Sequence, residues 1–143
     1  MNRENIYKSL FELVGSVADF QFKSRRLKVW SDVSPSDMPA LFMLQNNEVP
    51  ETTRNMPTKW TFRPEFYIYV SVGNEIDANP YEILNPILDK VTSLFHPKYL
   101  QDVITLDGLV HSAKINGAIE VDGGILGTVA VAIIPVEIIV TEQ

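Results

Sequence analysis

The sequence predicts an α+β domain: a mostly antiparallel sheet of about five strands with two helices packed on one face. Three observations lead there. Two segments carry apolar residues at helical spacing, "NRENIYKSLFELVGSV" and "ANPYEILNPILDKVTSLFHP". One segment, "WTFRPEFYIYVSV", alternates over its whole length. A third, "TVAVAIIPVEIIV", is apolar on both parities, so it reads as a strand with two faces to cover.

In order along the chain, the first helix places Ile6, Leu10, Leu13, Val14 and Val17 on one side, with Asn2 able to cap it. "SRRLKVW" reads as a short strand, "SDVSPSDMPA" as a loop forced by Pro35 and Pro39, and "ALFMLQ" as a second strand. "NNEVPETTRNMPT" reads as a long exposed loop.

In the strand that follows, Trp60, Phe62, Phe66, Ile68, Val70 and Val72 share one face. Thr61, Arg63, Glu65, Tyr67, Tyr69 and Ser71 share the other. Pro64 has no N–H, which predicts an edge position or a bulge there. The second helix carries two start signals, Asn79-Pro80 with Glu82 and Asn85-Pro86. They predict one turn from Pro80 and a main helix from Pro86 to Phe95, stopped before Pro97. Ile87, Leu88, Val91, Leu94 and Phe95 form its buried stripe.

"GLVHSAKINGAIEVDGG" keeps Leu109, His111, Ala113, Ile115, Ile119 and Val121 on one parity through Gly117. That continuity predicts a single strand kinked or bulged at the glycine, then a turn at Asp122-Gly123-Gly124. Two helices cover one face of such a sheet. The other face and the edges are left to water or to another protein.

At 143 residues the chain suits a single domain over 1–143. Its net charge of −6 argues against gripping nucleic acid by phosphate neutralisation. With no cysteine, disulfides and thiol catalysis are excluded. The N-terminus lacks the apolar centre of a secretion signal and no stretch reaches membrane-spanning length, so a soluble protein without a targeting signal or membrane partner is expected.

Residues suited to catalysis or to cofactor and metal binding are sparse, and none is expected to serve. His96 and His111 lack metal-ligand spacing and read as structural histidines. Glu120 and Asp122 read as solvated carboxylates rather than an acid–base pair. Gly123, Gly124 and Gly127 precede a strand, not a helix, so they are turn glycines rather than a phosphate cradle.

Candidate contact residues are easier to find. Lys23, Arg25, Arg26 and Lys28 cluster early, while Asp102, Asp107, Glu120, Asp122, Glu137 and Glu142 oppose Lys114 alone from residue 101 on. This asymmetry suits head-to-tail contact between copies, as well as a charged edge that resists aggregation or a solvated surface. Tyr67 and Tyr69, beside Arg63 and Glu65, have interface composition unless the loop at 46–58 covers them. The candidate subunit-interface residues are therefore Arg25, Arg26, Lys28, Tyr67, Tyr69 and Glu137.

The order of elements, the strand beginning at "MPALF" after a proline-containing loop, the aromatic strand "KWTFRPEFYIYVSVG" and the closing "AVAIIPVEIIV" together resemble the tail-terminator (minor tail) proteins of long-tailed bacteriophages. The resemblance covers nearly the whole chain and implies a small sheet flanked by helices that assembles with itself as a ring, typically a hexamer. Such a ring docks on the end of the tail tube protein, stops its polymerisation and presents a surface to the head–tail connector. DNA passes through the hole without specific binding. The implied place is the head-proximal end of the virion tail, after assembly in the host cytoplasm, with no cofactor. A connector or head-completion (stopper) subunit, and a small enzyme or ligand-binding α+β module, are the competing expectations.

Overall fold

A computed structural model describes residues 1–73, 78–96, 103–124 and 128–142. Pro97, Asp102 and Gly127, named above, lie outside the described residues. The elements are α1 (Arg3–Gly15), β1 (Phe22–Ser24), β2 (Ala40–Glu51), β3 (Lys59–Ser71), α2 (Tyr81–Leu94), β4 (Ser112–Ile115), β5 (Glu120–Asp122) and β6 (Val129–Thr141). They form an α+β fold with one six-stranded sheet, ordered β1-β2-β3-β6-β4, in which β5 also pairs with β6. Among the described residues only the β1–β2 pairing is parallel.

Both helices lie on one face. Ile6, Tyr7, Leu10 and Val14 of α1 and Leu84, Ile87 and Val91 of α2 join Leu41, Met43, Phe62, Phe66, Ile68 and the even-numbered residues of β6 in the main core. Local chemistry starts each helix as the sequence suggests. The Asn2 side chain accepts from the Asn5 N–H at 3.0 Å, and the Asn79 side chain accepts from Tyr81 N–H at 3.0 Å. Asn2→Ala is expected to cost about 1 kcal/mol in thermal unfolding.

The second helix departs from its expected division. It runs unbroken from Tyr81, with Pro86 inside it. The missing N–H leaves the Glu82 carbonyl without its usual donor, but Glu82 and Pro86 are both exposed, where water can serve. Burial of Leu84 and Ile87 on either side of the proline holds the two segments as one.

Two sheet elements also differ from expectation, and a third takes one of the two placements expected. The first strand is Phe22–Ser24, upstream of "RRLKVW", and β2 runs on to Glu51, so the loop to β3 is only 52–58. Pairing from Asn47–Arg63 to Glu51–Lys59 sustains that extension. Pro64 lies in a central strand, level with a register shift between Leu44 and Asn47 of β2, where Asn46 adopts φ 57°. The bulge, not an edge position, accommodates it.

Gly117, at φ 113°, interrupts the segment before β6, as the parity argument requires, and separates β4 from β5 on the same partner strand. Ala113 and Val121 face the β6 core parity through Ile138 and Ala132. Leu109 and His111 do not join that face. They precede β4 and are exposed, and Val110 is buried instead.

The N-terminus of α1 is tied to the far ends of β2, β3 and β6. Arg3 pairs with Glu48 at 2.7 Å and lies 4.9 Å over the Trp60 ring. The Tyr7 hydroxyl donates to Glu48 at 2.8 Å, and Trp60 Nε1 donates to Glu142 at 3.1 Å. Burial, then the bond to Glu48, raises the Tyr7 phenol well above its usual value of 10.0. A raised folded value means the associated stability is whole below about pH 10 and is lost as pH climbs from there toward the folded value. Tyr7→Phe is expected to cost about 1 kcal/mol at neutral pH. It should also flatten the decline in urea midpoint between about pH 9 and 11.

Candidate interaction surface

The odd-numbered face of β6 is half-buried, in contrast to the fully buried even-numbered face. Its upper part is covered by the chain itself. The segment after β1 folds across the sheet, and Val33 and Met38 pack on Ala40, Phe42 and Tyr69, with Phe22, Leu27, Tyr67, Val129 and Val131 around them. The Tyr69 hydroxyl donates to the Lys28 carbonyl at 2.7 Å. Trp30 reaches as far as Asp122, Val129 and Val131.

The lower part of this face is polar. Lys114 stands opposite Glu137 on β6, and Arg63 opposite Asn47 on β2. Lys114 lies 3.7 Å from Glu137, which also accepts from Asn116 Nδ2 at 2.7 Å. The expectation that the second face is left to water or another protein is thus corrected at its apolar end, where residues 25–39 supply the cover.

These contacts sort the candidate interface residues. Tyr69 is 3% exposed and is covered by this segment rather than by the loop at 46–58, so it presents no free surface. Burial raises its phenol above the usual value, and the same cause, with Glu65 and Glu120 nearby, raises Tyr67. Tyr67 remains half-buried. Arg25 is committed within the chain, donating to both Glu4 carboxylate oxygens at 2.7 and 2.8 Å and to Gln45 at 3.1 Å. That pairing lowers the Glu4 carboxyl and raises the guanidinium. Glu137 is likewise held by Lys114 and Asn116. Arg26 and Lys28 remain exposed, Lys28 with its Nζ 4.8 Å above the Phe22 ring.

The open surface is at the two sheet edges. Among the described residues β1 has a strand neighbour on one side only, and so has β5. The outer side of β4 is different, because Ala113 N–H donates to the Ile104 carbonyl at 2.8 Å in an isolated bridge. All three residues of β5 are exposed. Around it are exposed apolar side chains: Val121 itself at 40%, Trp30 at 37%, and Tyr81 of α2 at 43%. Tyr81 lies against Gly123, where an added Cβ would meet its hydroxyl at 2.5 Å.

The charges differ in sign between the edges. Lys23, Arg26 and Lys28 surround β1, while Glu120, Asp122 and Glu82 surround β5 and the first turn of α2. Sequence reading identified both charge clusters but not their opposition across one sheet. It also missed Trp30, Val121 and Tyr81, whose exposure depends on where β5 and α2 meet.

A cleft of about 630 Å³ lies between the end of α1, the end of α2 and residues 104–107. Glu12, Ser93, His96 and Asp107 on its rim are exposed. His111 is exposed as well, rather than set on the apolar side of a strand, and its Nε2 lies 2.6 Å from the Thr141 hydroxyl. Among the described residues no group of three His, Cys, Asp or Glu side chains is placed to hold a metal ion. No protein-family model matches the chain, and no curated protein matches it.

Proposed function

We propose that this chain is a structural subunit of a ring that caps the tail tube of a long-tailed phage, ends tube polymerisation and offers the head connector its docking surface. The observation that supports this reading most is the placement of opposite charge on the two open edges of one sheet. An edge that complements the opposite edge of the next copy makes a heterologous contact, and such contacts close into rings when the rotation permits. The exposed apolar side chains beside β5 add a driving force of roughly 25 cal/mol per Å² buried.

The resemblance in element order supplies the tail-capping role. In that role the net charge of −6 repels DNA phosphates, so the duplex slides through the hole rather than binding it. The ring occupies the head-proximal end of the virion tail after assembly in the host cytoplasm. No catalytic step is proposed.

Mass photometry and negative-stain imaging of the purified protein, alone and with isolated tail tubes, test the reading. A discrete oligomer with a central hole, or a ring at tube ends, is the expected result. A monomer at every concentration that ignores tube ends would overturn it. Deleting the gene separates the connector alternative: loss of a terminator gives tails of wrong length, whereas loss of a connector leaves normal tails unattached.

A second reading, a small ligand-binding module, is favoured by the volume of the cleft between the helices, which falls within the size range of small-molecule sites. A monomer whose melting temperature rises in a small-molecule screen would support it over the ring.

A further inference from the structure

We infer that the β1 edge of one copy pairs antiparallel with the β5 edge of the next, Lys23 opposite Val121, so that a single sheet continues from subunit to subunit. This rests on the self-assembly reading above. The register across the sheet shows why these two edges fit. Three rows run unbroken from β1 to β5: Phe22, Ala40, Tyr69, Val131, Asp122; then Lys23, Leu41, Ile68, Ala132, Val121; then Ser24, Phe42, Tyr67, Ile133, Glu120. The two edges therefore stand at the same height along the strand direction.

Strand direction is compatible as well. β1 runs parallel to β2 and hence to β6, while β5 runs antiparallel to β6. A neighbour in the same orientation therefore brings its β1 antiparallel to β5. Equal height removes any step along the strands between copies. A head-to-tail contact without that step closes into a ring about an axis along the strands, where a stepped one climbs into a helix.

Side chains match on both faces. On the far face Lys28, held over the Phe22 ring, shares a row with the neighbour's Asp122, and Ser24, two residues before the exposed Arg26, stands opposite Glu120. On the helix face, Lys23 beside the end of α1 meets the start of α2 with Glu82. The C-terminal end of one helix dipole then faces the N-terminal end of another, a favourable arrangement. β4 is excluded as the partner edge because the Ile104 bridge occupies it. The three-residue ladder alone is short. Trp30, Val121 and Tyr81 supply the apolar burial that completes the contact.

The chain has no cysteine, so a Lys23→Cys, Val121→Cys double variant reports this pairing directly. Within one copy the two positions are four strand spacings apart, about 19 Å, too far for a disulfide. Between copies they face each other. Oxidation of the double variant, resolved on a non-reducing gel beside mass photometry of the parent, is expected to give a ladder ending in one discrete slow band. Oligomers that form but do not cross-link would overturn the strand pairing and leave the ring reading standing. Absence of both oligomers and cross-links at every concentration would overturn both. A ladder without an upper limit would overturn closure at equal height.

Discussion

Phe62→Ala is expected to lower the unfolding free energy by about 3–5 kcal/mol. Against a total of roughly 5–15 kcal/mol for a domain, that is a large share. Phe62 has no exposed surface and sits in a central strand between Glu48 of β2 and Ile138 of β6. Its ring is stacked on Tyr7 at 5.3 Å with the planes 15° apart, and Trp60 lies 6.5 Å away. Neighbouring strands on both sides keep the backbone from closing the cavity, so the cost falls in the upper range for truncation. Because the same ring supports Tyr7, loosening of α1 should accompany the loss. Urea titration followed by circular dichroism measures the first effect, and hydrogen exchange in residues 3–15 the second. A change below about 1 kcal/mol would show that α1 does not dock as described.

Arg26→Glu and Glu120→Arg, made singly, are each expected to abolish self-association, and the double variant to recover it. The reasoning is one of sign. In the proposed contact Arg26 of one copy lies two residues from Ser24, which stands opposite Glu120 of the next, so either single change sets like charges near each other at every junction. Exchanging both restores opposite charges with the polarity reversed. Both residues are exposed, and the monomer should keep its circular dichroism spectrum. Parent oligomers should also weaken as salt rises, since exposed charges are screened beyond roughly 8–10 Å near physiological ionic strength. Mass photometry at matched concentrations reads all four proteins. Single variants that assemble like the parent would remove these edges from the interface.

Elements set by near neighbours were the legible ones. Asn2 and the Ile6, Leu10, Val14 spacing define α1 within one stretch of chain, alternation defines β3, and a run apolar on both parities defines β6. Elements that depend on distant partners were misplaced. Residues 47–51 look like loop, yet they are strand because Lys59 to Arg63 stand beside them. Arg25 looks like a surface cation, but Glu4, far back in the chain, takes it up. Pro86 looks like a helix start, whereas core contacts on both sides of it hold one helix. Tyr69 alternates onto a polar parity, and only the fold of residues 25–39 shows that it is buried.

By itself the sequence determined an α+β class, two amphipathic helices, a final strand with apolar side chains on both parities, and separate basic and acidic stretches. Each of these follows from spacing within a few residues. Tertiary structure alone decided what covers the second parity of β6, and which strands end the sheet. It also decided that the basic stretch and the acidic one stand at equal height on opposite edges. Strand order and register are settled by pairing across long chain separations, and side-chain periodicity carries no record of that pairing.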